Sequence, residues 1–421
     1  MEQSEINCNS QSQFSSYING PVGTNERFPI LDILRGIALA GICLANFPEF
    51  ALYTFQKKEV VEAMPTAGID HVIKYLQYLF IDGKFYSLFS ILFGTGFSII
   101  LSKSLQKHTN GLAFFYRRMA VLTVIGFLHL MFIWSGDILV LYALLGMLLP
   151  LFRNMSNRKL LIAAGALILF PIVMDAVKVL SDNRFDPAAP AIRATQYFNL
   201  KNGITDDNFG VWLLHAESYS DVFKFLISGA FIRIQEFAEG NRIFKVLGLF
   251  ILGLYIGRNR IYAHLADYKT LLKKIRLYGF AFGLPLSVFY AWNANGHPLG
   301  LVAYSVGYAV SVVPLSLAYM SAIGLWYLRR RELKLFKIVA ASGRMALTNY
   351  IGQSVFGIFI FYGTGLGLGA TMGLVYVEWI AAGVFTLQMI CSYVWMRYMR
   401  FGPLEWIWRT LTYGKLLNIR Q

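Results

Sequence analysis

Ten predominantly apolar stretches punctuate the chain, at 30–48, 84–102, 115–134, 137–152, 159–179, 243–258, 276–293, 300–327, 345–363 and 373–397. About 20 apolar residues carry a helix across the hydrocarbon core of a bilayer, so the pattern predicts an all-α, polytopic transmembrane helix bundle of about ten spans. The stretch 137–152 is short. The stretch 300–327 is long and contains Pro314, so a tilt or kink is expected there. Residues 1–26 are rich in Ser, Asn and Gln and read as a disordered polar tail. They lack the basic start and apolar run of a cleavable signal peptide. An N-terminal bundle then covers 27–179. An extracytoplasmic segment covers 180–242, and a C-terminal transmembrane domain with an interfacial tail helix covers 243–421. Within the middle segment, Lys224, Arg233 and Glu236 interrupt an apolar run at 222–237, which predicts an amphipathic or re-entrant helix covering something between the spans. The alternative is a solvated linker.

Basic residues orient this arrangement. Connections rich in Lys and Arg (Lys103 to Arg118, Arg153 to Lys159, Arg258 to Arg276, Arg329 to Lys337, and the tail from Arg400) alternate with connections 135–136, 294–299 and 364–372, which have none. Positive charge collects in cytoplasmic loops, so the alternation puts both termini in the cytoplasm. Composition agrees with a lipid solvent: 56% of residues are hydrophobic and 14% charged, against about 25% charged in soluble domains. The net charge of +15 is therefore read as loop charge, and nucleic acid is not expected as a partner. Cys8, Cys43 and Cys391 are too few and too scattered for a disulfide framework or a cysteine metal site. No metal is expected.

Charged groups inside a span are expensive, and they are retained mainly where they pair or line a cavity. On the first span Asp32 and Arg35 are three residues apart and can pair. Asn46 follows Arg35 by eleven residues, which returns to nearly the same helix face about 16 Å further on. Arg118 and His129 repeat that spacing on the third span, and Asp137 follows across a Ser-Gly turn. A carboxylate beside an imidazole can hold it ready as a general base, but Asp137 also suits a simple helix cap. Ser342, Asn349 and Gln353 share a face suited to hydrogen bonds between helices. Gly253 and Gly257 suit close helix packing.

Several stretches together resemble the YeiB-like membrane protein family, a domain of unknown function. They are Gly343-Arg344-Met345-Ala346-Leu347-Thr348-Asn349-Tyr350 with Gln353-Ser354, and Arg400-Phe401-Gly402-Pro403-Leu404-Glu405-Trp406-Ile407-Trp408-Arg409. Leu31-Asp32 through Arg35-Gly36 to Asn46, Lys84 to Gly94, and His129 to Asp137 fit as well. The family looks like a relative of the transmembrane acyltransferases, which include acyltransferase-3 and heparan glucosaminide acetyltransferase-like proteins. That resemblance implies a bacterial cytoplasmic (inner) membrane location. It also implies transfer of an acyl group from cytoplasmic acyl-CoA, such as acetyl-CoA, to a glycan or lipid hydroxyl on the far side. Arg35, Asp32 and Arg118 would serve the donor, and Asn46, His129 and Asp137 the chemistry. Acyltransferase-3 proteins carry a His where this chain has Asn46, so His129 and His71 compete as the base. A transporter or flippase for a polar lipid or metabolite, and a non-catalytic scaffold, remain the rival readings.

Overall fold

The computed structural model describes residues 27–106, 110–296 and 298–421; the polar tail, with Cys8, lies outside them. The described residues form sixteen α-helices joined by short 3-10 turns, with no strand among them. Among the described residues six stretches are long and apolar enough to cross a membrane: Pro29–Phe50, Ala67–Ser104, Gly111–Phe132, Asn157–Leu180, Gly300–Arg329 and Leu374–Tyr398. A seventh exists if Tyr219–Glu239 and Arg242–Arg258, which meet at 67°, act together.

The other apolar stretches fold differently from a plain span. Residues 137–152 make an eight-residue helix, Leu139–Gly146, and a 3-10 turn, Leu149–Phe152; eight residues rise only about 12 Å. Residues 345–363 hold the sixteen-residue helix Ala346–Phe361. Residues 276–293 lie in Lys269–Ala294, whose first turns carry Lys269, Lys273, Lys274 and Arg276.

In chain order the helices are α1 (Pro29–Phe50), α2 (Lys58–Glu62), α3 (Ala67–Phe80), α4 (Lys84–Gln106), α5 (Gly111–Phe132), α6 (Leu139–Gly146), α7 (Asn157–Leu180) and α8 (Ala189–Asn202). They continue as α9 (Tyr219–Glu239), α10 (Arg242–Arg258), α11 (Lys269–Ala294), α12 (Gly300–Arg329), α13 (Lys334–Arg344), α14 (Ala346–Phe361), α15 (Leu374–Tyr398) and α16 (Pro403–Tyr413).

Helix α1 runs through the middle of the protein, and small residues let its neighbours approach it closely. A Cβ on Gly343 would stand 1.9 Å from the Asp32 carbonyl oxygen, and one on Gly36 2.3 Å from the Val339 carbonyl oxygen. Only glycine permits this crossing of α1 and α13. It joins the amino-terminal and carboxy-terminal family-like stretches. The crossing of α4 and α10 is equally tight: a Cβ on Gly94 would meet the Phe250 carbonyl oxygen at 2.0 Å, and one on Gly253 the Ile91 carbonyl oxygen at 2.1 Å. Side-chain hydrogen bonds bind α14 to its neighbours. Asn349 Nδ2 donates to the Ser342 carbonyl oxygen (3.2 Å) and to Ser392 Oγ (2.9 Å), and Gln353 Nε2 donates to Gln388 Oε1 (3.2 Å).

The middle segment is folded against the C-terminal end of α1. Leu213, Ala216, Val222, Phe225 and Leu226 are buried in the same apolar core as Phe47 and Phe50. The Gly363 N–H donates to the Leu213 carbonyl oxygen at 2.9 Å.

Candidate functional site

A cavity of about 480 Å³ follows α1 along nearly its whole length, from Arg27 to Glu49. Asp32, Arg35, Asn46 and Arg118 all line it. Its middle is apolar, walled by side chains such as Leu39, Phe89, Phe93, Phe97, Met119 and Leu122 from α1, α4 and α5. Its two ends are polar and differ in charge.

At the end beside the start of α1, six arginines contribute: Arg27, Arg35, Arg118, Arg344, Arg400 and Arg409. Two carboxylates face them, Asp32, which is paired with one of the six, and Glu405, which is engaged elsewhere. Asp32 takes Arg35 Nη1 at 2.7 Å. Glu405 accepts from the N–H groups of Leu347 (2.6 Å) and Thr348 (3.0 Å) and from the Thr348 hydroxyl (2.6 Å). It thereby closes the open N-terminus of α14, in the role of an N-cap side chain supplied from another helix. Arg118, Arg344 and Arg409 are half-buried and have no ion pair with a described carboxylate. Arg118 stacks on the Trp408 ring, 3.6 Å from its centroid, and its carbonyl oxygen accepts from Trp408 Nε1 at 2.9 Å. The Nε of Arg344 is buried without a partner. The tail helix α16 thus forms part of the cavity wall as well as carrying amphipathic aromatics.

At the other end stand Asn46, Glu49, Asp82, Arg233 and Arg242. Arg233 is 6% exposed. Its Nε donates to the Ser135 carbonyl oxygen at 3.0 Å, and its Nη1 pairs with Glu236 at 2.5 Å. The Tyr290 hydroxyl donates to Asp82 at 2.5 Å. Helix α9, which holds Arg233, therefore forms a wall of this end.

His129 and Asp137 meet, but away from the cavity. His129 Nδ1 lies 2.8 Å from Asp137 Oδ2, and its Nε2 2.9 Å from Ser354 Oγ. A carboxylate at one ring nitrogen and a hydroxyl at the other hold the imidazole at both positions. Asp137 Oδ1 also accepts from the Val140 N–H at 2.9 Å; it is cap and orienter at once. His129 and Asp137 are each 1% exposed and Ser354 0%. None of the three lines the cavity, whose nearest wall is formed by Gly136, Ile138 and Tyr350. His71 lies on α3, exposed, and does not line the cavity either.

Glu49, Asp82 and Arg242 carry no signal in the sequence that marks them for the cavity, and Arg344 and Arg409 none that marks them as its lining. Glu49 ends the first apolar stretch and looks like its polar edge, although its spacing of three from Asn46 placed both on one face. Arg344 and Arg409 stand out in the sequence only as parts of the family-like stretches, Arg409 also as tail charge, and Arg242 does not stand out at all.

Residues 256–415 match the family model described as "Protein of unknown function (DUF418)". The chain is 28% identical over 400 residues to the "Uncharacterized protein YxaH" of Bacillus subtilis (strain 168), covering 93% of this chain and 96% of that protein. It is 27% identical over 413 residues to the "Uncharacterized 39.9 kDa protein in amylase 3'region" of Bacillus acidopullulyticus, covering 95% of this chain and 97% of that protein. It is 27% identical over 419 residues to the "Uncharacterized protein YeiB" of Escherichia coli (strain K12), covering 92% of this chain and 96% of that protein. No solved structure matches the chain. The chain is thus similar over most of its length to YxaH and YeiB, and over its C-terminal part to DUF418, and it carries several helices long and apolar enough to cross a membrane.

Proposed function

We propose that the chain is a membrane acyltransferase whose cavity holds an acyl-CoA donor. Its phosphates would sit among Arg118, Arg344 and Arg409, and its thioester would point toward Asn46. The carrying observation is that these three half-buried guanidiniums, without carboxylate partners among the described residues, surround one end of an apolar passage. A cation held out of water requires a counter-ion, and the guanidinium fork matches phosphate oxygens. The apolar middle suits a chain rather than a hydrated solute. In this reading the arginine end opens to the cytoplasm, the chain crosses the bilayer about ten times, and both termini are cytoplasmic. The acceptor is a glycan or lipid hydroxyl at the Asn46 end. The Asn46 side chain makes no hydrogen bond to a described residue and is free to donate to the developing oxyanion. His129 reaches no cavity-borne substrate in this arrangement, so the proton is taken by another group.

That same fact favours a second reading, a transporter that moves a polar lipid or anionic metabolite through the cavity without chemistry. One experiment separates the two. Purified protein in vesicles is given acetyl-CoA labelled on both the acetyl group and the nucleotide, with a lipid and glycan extract on the far side. Transfer leaves the acetyl label on an acceptor and the nucleotide label behind. Transport carries both labels across together. Absence of any acetyl-CoA binding would remove the donor site altogether and leave transport of another molecule or a scaffold.

A further inference from the structure

The end of the cavity opposite the arginines is built differently, and it holds a reactive group still without an assigned role. Asn46 and Glu49 stand three residues apart on the last turns of α1, on one face of the helix, and both line the cavity. The Glu49 carboxylate accepts no hydrogen bond from a described residue. Its ion pair with Arg233 Nη2 is long, at 3.6 Å, because Arg233 is held by the Ser135 carbonyl oxygen and by Glu236. Asp82, the other carboxylate here, already receives the Tyr290 hydroxyl. The lining charges at this end balance, Arg233 and Arg242 against Glu49 and Asp82, whereas the opposite end is strongly positive. This end therefore suits a neutral, hydroxyl-bearing molecule, while the arginine end suits an anion.

We infer that Glu49 is the catalytic base of the acyl transfer proposed above, taking the proton of a neutral hydroxyl acceptor bound beside Asn46 and Arg242. The inference rests on that reading of the cavity. The acceptor oxygen gives its proton to the Glu49 carboxylate and bonds to the thioester carbonyl carbon. The carbon–sulfur bond breaks, and the departing CoA thiolate takes up that proton, leaving an ester and a free thiol. Asn46, one turn away, donates to the carbonyl oxygen as it becomes an oxyanion.

The test uses the full chain in detergent, acetyl-labelled acetyl-CoA, and an alkyl glucoside together with a membrane lipid extract as acceptors. Glu49→Gln is expected to bind acetyl-CoA within about twofold of wild type and to lose about a hundredfold or more in transfer rate, the usual range for removing a general base. Glu49→Asp should recover part of that rate. Thermal stability of both variants is measured alongside, and an unfolded Glu49→Gln leaves the decision to Glu49→Asp, whose full wild-type rate would overturn the role. Wild-type transfer by a folded Glu49→Gln also overturns Glu49 as base while keeping the acyltransferase reading. A wild type that binds acetyl-CoA and acetylates nothing overturns the inference and leaves transport. A wild type that binds no acetyl-CoA overturns both the inference and the donor site.

Discussion

His129 illustrates how one residue can satisfy a local expectation and fail a global one. The spacing from His129 across Ser135-Gly136 to Asp137 made contact legible, and the ring is indeed 2.8 Å from the carboxylate. What the spacing could not contain is Ser354, 225 residues away, which occupies the other ring nitrogen. A histidine with both nitrogens engaged and 1% exposure ties α5, the start of α6 and α14 together. Replacing it with Ala takes the ring partner from buried Asp137 Oδ2 and Ser354 Oγ, and unsatisfied buried polar groups cost about 1–3 kcal/mol each. We therefore expect His129→Ala to lower the melting temperature in detergent clearly, while acetyl-CoA affinity stays within about twofold. Unchanged melting with abolished transfer would return His129 to the chemistry. Arg35 and Asn46 were legible for a firmer reason. Their eleven-residue separation is a property of one helix, and both line the same cavity.

Between elements, the main information lies in who caps and who crosses. Apolar runs located α1, α5, α7, α12 and α15 well, because a long unbroken run specifies both a helix and its length. They did not specify the 137–152 region, where Gly146 and Pro150 break the run into an eight-residue helix and a 3-10 turn. Nor did they show that α9 and α10 meet at 67°, at Asn241, whose φ is 49°. The cap of α14 is a further case. The stretches around Thr348 and Glu405 stood out separately in the sequence, and the structure joins them through three hydrogen bonds to one carboxylate. Glu405→Ala should cost about 2 kcal/mol, since losing a capping side chain costs about 0.5–2 kcal/mol and buried N–H groups are left unpaired. Glu405→Gln should cost less, because its amide oxygen still accepts. Both are read from detergent melting curves. Equal melting of Glu405→Ala and wild type would show that the cap contributes nothing. Because Glu405 also faces the arginine end, Glu405→Gln should leave or raise acetyl-CoA affinity, as a negative charge is removed from beside the phosphates.

At the scale of the molecule the two ends of the cavity need a direction, and the C-terminal segment supplies a way to measure it. Arg400 and Arg409 line the arginine end. The last residues fold back onto the same region: the Arg400 N–H donates to the Ile419 carbonyl oxygen at 2.8 Å, and Trp406 Nε1 to the Leu417 carbonyl oxygen at 2.7 Å. The C-terminus and the arginine end therefore lie at the same end of the molecule. We propose, from the alternation of Lys/Arg-rich and Lys/Arg-free connections, that this end faces the cytoplasm, where acyl-CoA is found. A protease-sensitive tag appended after Gln421 should accordingly resist impermeant protease in intact cells and be cut once the membrane is opened. The expectation binds charge, fold and chemistry into one measurement. If the tag is cut in intact cells, the arginines face a compartment that holds no acyl-CoA. The acyl-CoA reading then falls with the topology, and the anion at that end has to be one available outside the cell.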